Sequence, residues 1–288
     1  MQQEYRESVQ LPFRPARDRR LIANVLAGLP VFRHLSSTAC ATLADHATLR
    51  EARRAEVIAQ RGEQMPGLFA LASGLAKLSL RGARGREDVV RLLGAGDSFG
   101  LAAALLDRPC PVDMVALAPC LVVTVPPAPL QRLLECDAAF ARQATRALAE
   151  RLLGLLGDLE TSLQHNGLQR LAHYLDAHAQ AERVWLPATK TTIAALLGVK
   201  KETLSRMLHA LAATGVVQVA GREVAILDLG EFGAFVVEDV DGDRRGRDRR
   251  QPATRSTHQG VLDATQHGER NRFGRAHDAG TLAVRALR

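Results

Sequence analysis

Glu202, Ser205, Arg206 and His209 recur at i, i+3, i+4 and i+7, the spacing that lines side chains along one face of a helix. A carboxylate, a hydroxyl and a guanidinium on one face have the donors and acceptors needed to read bases in a DNA major groove. Arg206 can donate two parallel hydrogen bonds to guanine O6 and N7. Glu202 can accept from an exocyclic amino group, and Ser205 can meet a thymine or its phosphate. Leu204, Leu208 and Leu211 repeat at i, i+4 and i+7 on another side, which must therefore pack inward.

A reading face needs something to hold it. Ile193, Ala194 and Leu197 supply the inner face of a preceding short helix, and Gly198 stands where the chain turns sharply. Thr191–Ala213 thus reads as helix, turn, helix. Val216–Asp228 follows with two β-rich runs around Ala220-Gly221-Arg222, a hairpin turning at glycine. Together these segments predict a winged helix. Arg222 at the wing tip, with Thr191, Thr192, Lys200 and Lys201, are the candidate phosphate contacts; each could equally be a solvated side chain.

Composition is compatible with that reading and does not decide it. The 288 residues leave room for two cored domains. Net charge is +7, but residues 238–288 carry 11 arginines against 8 acidic residues, so +3 of it lies in the tail. Cys40, Cys110, Cys120 and Cys136 are scattered, with no CxxC pair, against a zinc knuckle or a disulfide framework. Without an apolar bilayer-length run or a secretory leader, a cytoplasmic protein outside the membrane is expected. No P-loop, GxSxG or HExxH occurs, and an enzyme is not expected.

The fold class expected is α+β. Residues 1–20 read as a mobile arm. Residues 21–136 read as a β-roll sensor with flanking helices: Leu21–Leu49 is helical in pattern, broken at Pro30, with Ser36 or Ser37 as a cap. From Arg50 to Val125 short apolar runs (VIAQ, GLFALASG, LAKLSL, EDVVRLL, CLVVTV) are punctuated by glycine. A long helix spans 137–165, where Leu148, Leu152, Leu155, Leu159 and Leu163 form an apolar seam suited to a homodimer. Burial within its own domain is the alternative for that stripe. Leu168–Ala181 leads as a further helix into a DNA-binding domain over 166–235. Residues 236–288 have the composition of a disordered basic tail.

This order resembles the Crp/Fnr family of bacterial transcription regulators over about Leu26 to Leu229. The likeness is carried by Arg61-Gly62-Glu63, by Leu68–Leu78 (similar to the family's YxIxxGxVKV strand pair), by Gly96-Asp97-Ser98-Phe99-Gly100 and by Glu202-Thr203-Leu204-Ser205-Arg206. The last matches the Fnr-type reader. Gly221–Asp228 resembles the wing of the Dnr (dissimilatory nitrate respiration) branch. The resemblance implies a cyclic-nucleotide-binding-like β-roll, a homodimer on double-stranded DNA with TTGAT- or TTGAC-like half-sites, RNA polymerase as a protein partner, and nitric oxide or low oxygen as signal.

The sensor departs from the family's cyclic-nucleotide binders. Leu101 stands where they place a ribose-binding glutamate, no Arg-Ser-Ala occurs, and Asp113 would repel a phosphate, so cAMP is not expected. Residues 1–39 hold no cysteine, which argues against an iron–sulfur cluster. The resemblance to the Dnr branch implies haem as the open cofactor, in an apolar pocket including Phe99, Gly100, Leu101, Leu105 and Met114, with His34, His46 or His165 as conceivable ligands. The alternatives are a regulator answering a cyclic nucleotide or another metabolite, and an effector-binding dimer that does not read DNA.

Overall fold

The computed structural model describes residues 15–82 and 87–237. Helices α1 (Pro15–Gly28) and α2 (Ser37–His46), joined through a 3-10 turn at Pro30–Phe32, precede the β-domain. Ser36 caps α2, its hydroxyl accepting the Ala39 N–H at 3.1 Å, as Ser36 and its polar context suggest. The expected arm is helical from Pro15 onward; its residues 1–14, and the tail beyond 237, lie outside the described residues.

The β-domain follows with β1 (Thr48–Ala52), β2 (Val57–Ala59), β3 (Leu68–Ser73), β4 (Ala76–Arg81), β5 (Glu87–Leu93), β6 (Ser98–Phe99), α3 (Leu101–Leu105), β7 (Asp113–Ala116) and β8 (Cys120–Val125). Two antiparallel four-stranded sheets form, ordered β1-β8-β3-β6 and β2-β7-β4-β5. Between them Phe69, Leu71, Leu78, Leu93, Met114 and Val122 make one core. The other face of β3 and β8, through Leu68, Ala70, Val123 and Val125, packs on Ile22, Leu26, Phe32, Leu130 and Phe140. That is why Leu68–Leu71 is apolar without alternation: a strand buried on both sides has no polar face.

Helices α4 (Pro127–Cys136) and α5 (Ala138–Gln164) come next. Asp137 caps α5 by accepting the N–H groups of Ala139 and Phe140 at 2.9 and 3.0 Å, and His165 follows its last residue. The long helix therefore matches the stretch expected from its leucine pattern. Helix α6 (Gly167–His178) opens on a reciprocal Asn166–Gln169 capping box. It ends before Ala181, earlier than expected, because Ala181 and Glu182 take positive φ values in a turn that starts β9 (Arg183–Trp185). Helix α7 (Lys190–Leu196), helix α8 (Lys201–Ala213), strands β10 (Val217–Ala220) and β11 (Glu223–Ile226), and α9 (Leu229–Val237) complete the chain. Among the described residues, no helix is long and apolar enough to cross a membrane.

At the junction of α5 and the C-terminal domain, Arg170 donates from Nη1 to the His165 carbonyl at 2.7 Å and from Nε to the Leu197 carbonyl at 3.0 Å. The His165 ring lies 4.4 Å from that of His173, and one buried ring nitrogen of each lacks a partner. Burial first, and then His165, lowers the His173 pKa below its ordinary value of 6.5, with Asp176 opposing. Folding thus favours neutral His173: its contribution is complete above pH 6.5 and is lost as pH falls toward the lowered pKa. Thermal melts are expected to show stability dropping as pH falls below 6.5, and a smaller drop in His173→Gln.

Candidate nucleic-acid interface

Thr189 caps helix α7: its hydroxyl accepts the Thr192 N–H at 3.3 Å and lies 3.1 Å from the Thr192 hydroxyl. Gly198 closes the turn with φ +67°, and a Cβ there would touch nothing within 4 Å. Backbone conformation, not crowding, therefore selects glycine. Helix α8 then packs Leu204, Leu208 and Leu211 onto Ile193, Ala194 and Leu197 in a continuous core.

With that side buried, Glu202, Arg206 and His209 are exposed and Ser205 is half-buried. Arg206 donates from Nη2 to the Thr203 hydroxyl at 3.3 Å. Among the described residues Glu202 forms no ion pair, and its exposed carboxylate is uncommitted there. Glu202, Ser205 and Arg206 thus share one outward face, the arrangement that base reading requires.

The expected phosphate contacts are placed unequally. Thr191, Lys200 and Lys201 are exposed, with Lys200 directly preceding α8. Thr192 is half-buried and its hydroxyl is engaged by Thr189. Arg222 is exposed at the β10–β11 turn, where Gly221 has φ +64°. Its Nε donates to the Leu186 carbonyl at 2.9 Å, so it is not a freely solvated turn residue. A third strand, β9, joins this hairpin, pairing Trp185 with Glu223. Lys190, the first residue of α7, is half-buried. A three-residue strand such as β9 has too little sequence pattern to announce itself.

The five residues expected to line an effector pocket are not brought together. Phe99 and Met114 pack in the core between the sheets, whereas Leu101 and Leu105 belong to the core beneath the N-terminal helices. Gly100 sits between the two at φ +97°, where an added Cβ would strike Met65. The pattern misled because Leu101–Leu105 is a helix packed on two sides: Ala103 and Ala104 meet the core between the sheets, while Leu101 and Leu105 meet the one beneath the N-terminal helices. A cleft of about 200 Å³ does open nearby, lined by Ile58, Ala59, Gln60, Glu63, Gln64, Pro66 and Cys110. It carries one acid and no cation.

These residues do not fit haem. The His165 ring lies tilted against that of His173. His46 is exposed at the end of α2. His34 shares a cleft of about 310 Å³ with Arg142, Gln143 and Arg146, not with an apolar chamber. Cys110 is buried, donates to the Val112 carbonyl at 3.1 Å, and has its pKa raised chiefly by burial. Asp113 is buried too, accepting the Arg61 N–H at 2.9 Å and lying 3.6 Å from Arg81 Nε. On α5, Leu148 packs partly against the N-terminal core. Leu152, Leu155, Leu159 and Leu163 are 42–77% exposed.

Comparison with known proteins agrees with this geometry. Residues 49–137 match the cyclic nucleotide-binding domain, and residues 169–234 match the Crp-like helix-turn-helix domain. The CRP-like cAMP-activated global transcriptional regulator of Mycobacterium tuberculosis is 25% identical over 71% of this chain and 95% of its own. The cyclic AMP receptor protein of Thermus thermophilus is 27% identical over 72% of this chain and 99% of its own. In fold, FixK2 from Bradyrhizobium japonicum superposes with a TM-score of 0.60 at 21% identity, over 67% of this chain and 99% of that one.

The two domain models, in this order, cover more than half of the chain, and the chain belongs to the Crp/Fnr family of DNA-binding transcription regulators. Its reading helix depends on the leucine core beneath it. Leu208→Ala, at a site only 2% exposed, is expected to cost about 2–5 kcal/mol in chemical denaturation. Arg206→Ala should leave the unfolding midpoint within error of the parent.

Proposed function

We propose that the protein is a homodimeric regulator that reads a two-fold symmetric DNA site with TTGAT- or TTGAC-like half-sites about one helical turn apart. The observation that carries this reading is the common outward face of Glu202, Ser205 and Arg206, backed by buried Leu204, Leu208 and Leu211. Arg206 takes the guanine, Glu202 an amino group, and Ser205 a thymine or its phosphate. Lys200, Lys201, Thr191 and Arg222 supply phosphate contacts that set register without reading sequence. RNA polymerase is the protein partner proposed for the DNA-bound dimer.

The signal proposed is a small uncharged one. The cleft that opens in the β-domain has no cation in its lining to receive a phosphate, and burying an unpaired phosphate charge is strongly unfavourable. Nitric oxide or low oxygen, implied by the likeness to the Dnr branch, has the required character, but the residues that would detect it are not assigned. Fluorescence-anisotropy titrations at fixed salt test the whole reading. The native protein should prefer a TTGAT palindrome to scrambled DNA, with or without cAMP. Arg206→Ala should lose about 1–3 kcal/mol of discrimination at the guanine. Equal affinity of the native protein for both duplexes would refute the reading.

Dimerisation is proposed through α5. The leucine row from Leu152 to Leu163 lies open along a helix of 27 residues, and its near-heptad spacing suits a second helix. Leu155→Glu together with Leu159→Glu is expected to give monomers in sedimentation. Affinity for the palindrome should then fall by roughly 100-fold or more as the two half-sites are bound independently.

A further inference from the structure

Trp185 is the only tryptophan in the sequence, and it is 64% exposed. It stands on β9, whose alternate residue Val184 is wholly buried. A large aromatic left open on the outer side of a small sheet contributes little to the core beneath it. Its neighbour explains it better. The Arg222 guanidinium carbon lies 6.0 Å from the centre of the indole ring, over its face. Arg222 Nε is held at 2.9 Å by the Leu186 carbonyl, and the Arg222 carbonyl accepts the Leu186 N–H at 2.8 Å. Main chain and side chain thus anchor the wing tip to the segment between β9 and α7. Thr189 and Lys190 follow directly on that segment.

An arginine at a glycine turn would ordinarily sample many rotamers, and ordering it on binding would cost affinity. Here one edge of the guanidinium is committed to Leu186 and one face to the indole. The two Nη groups have no partner among the described residues. They form the edge that accepts a phosphate in paired geometry.

We propose that Trp185 is a positioning residue for DNA binding: its ring holds the Arg222 guanidinium beside the start of α7, so that wing tip and helix meet the phosphate backbone together. This rests on the DNA-reading function proposed above and adds to it a residue that touches Arg222. The glutamate opposite it in the sheet, Glu223, is paired instead with Arg183 at 2.6 Å, which keeps that carboxylate from competing for Arg222.

The test uses the full chain, a labelled palindromic duplex and a scrambled duplex over a series of salt concentrations, with anisotropy as readout. Trp185→Ala and Arg222→Ala should each weaken binding roughly twofold to fivefold per protomer, equally on both duplexes. Each should also flatten the slope of log affinity against log salt by about one for every phosphate no longer neutralised. The double variant should lose no more than Arg222→Ala alone, and Trp185→Phe should recover most of the loss. In the native protein the lone tryptophan's emission should change on adding duplex, with the same midpoint as the anisotropy. That measurement decides the matter if Trp185→Ala does not fold.

An unaltered salt slope in Trp185→Ala, additive losses in the double variant, or unchanged emission at saturating DNA would each overturn the proposal. Failure of the DNA-reading function has a different signature. In that case the native protein would not distinguish the palindrome from the scrambled duplex, and Arg206→Ala would change nothing, while the effect of Trp185 on salt dependence could still be seen.

Discussion

The leucine packing beneath α8 is the constraint on which the interface depends. A helix can present one face to DNA only if another is immobilised, and the three leucines do this with side chains that are at most 2% exposed. Their spacing turns the opposite residues outward as a set, because helical geometry couples the two faces rigidly. Glu202, Ser205 and Arg206 therefore need few contacts of their own. The Arg206–Thr203 hydrogen bond leaves most of the guanidinium for another partner. The outward face is held in place by apolar burial, and its polar atoms remain available.

The same logic extends to how this domain is attached. Arg170 bridges the carbonyl at the end of α5 to the carbonyl at the end of α7, two acceptors that helix ends leave without an intrahelical donor. Leu75, Leu92 and Leu117 of the β-domain also pack against the core of the winged helix. The reading helix is thus tied to both the sensor and the long helix by contacts distinct from those facing DNA. A signal that alters sensor packing has a physical route to α8 only if it favours one of two arrangements of these contacts.

The parts legible in the sequence are those with long periodicity or a special backbone demand. The α5 leucines, the faces of α8 and the turns at Gly198 and Gly221 all announce themselves, since period and positive φ are local properties. Strands β6, β7 and β9 do not. They are two to four residues long, and β7 begins with an aspartate that only tertiary contacts to Arg61 and Arg81 make tolerable. The sensor residues show the same limit: Leu101, Leu105 and Met114 are alike in chemistry, yet they enter different cores. Apolar character predicts burial without saying against what. Arg222 is visible as a turn cation, but its tie to Leu186 and Trp185 comes from β9, which the pattern does not reveal.

The long helix joins these observations. Its first turns are held to the sensor by the stacked rings of Phe32 and Phe140, 5.6 Å apart, and by Gln143 donating to the Pro30 carbonyl at 2.8 Å. Beyond Leu148 it departs from that core, and Leu152, Leu155, Leu159 and Leu163 stand 42–77% exposed among the described residues. A contiguous apolar stripe on this scale is unfavourable in water, and a helix continued past its own domain gains most of its stability from packing rather than propensity. A second copy would supply that packing. It would also place two reading helices at related positions, which is what a palindromic site demands. In the proposed dimer the solvent-facing leucines would create the pair, and the outward polar triad would give that pair a site to read.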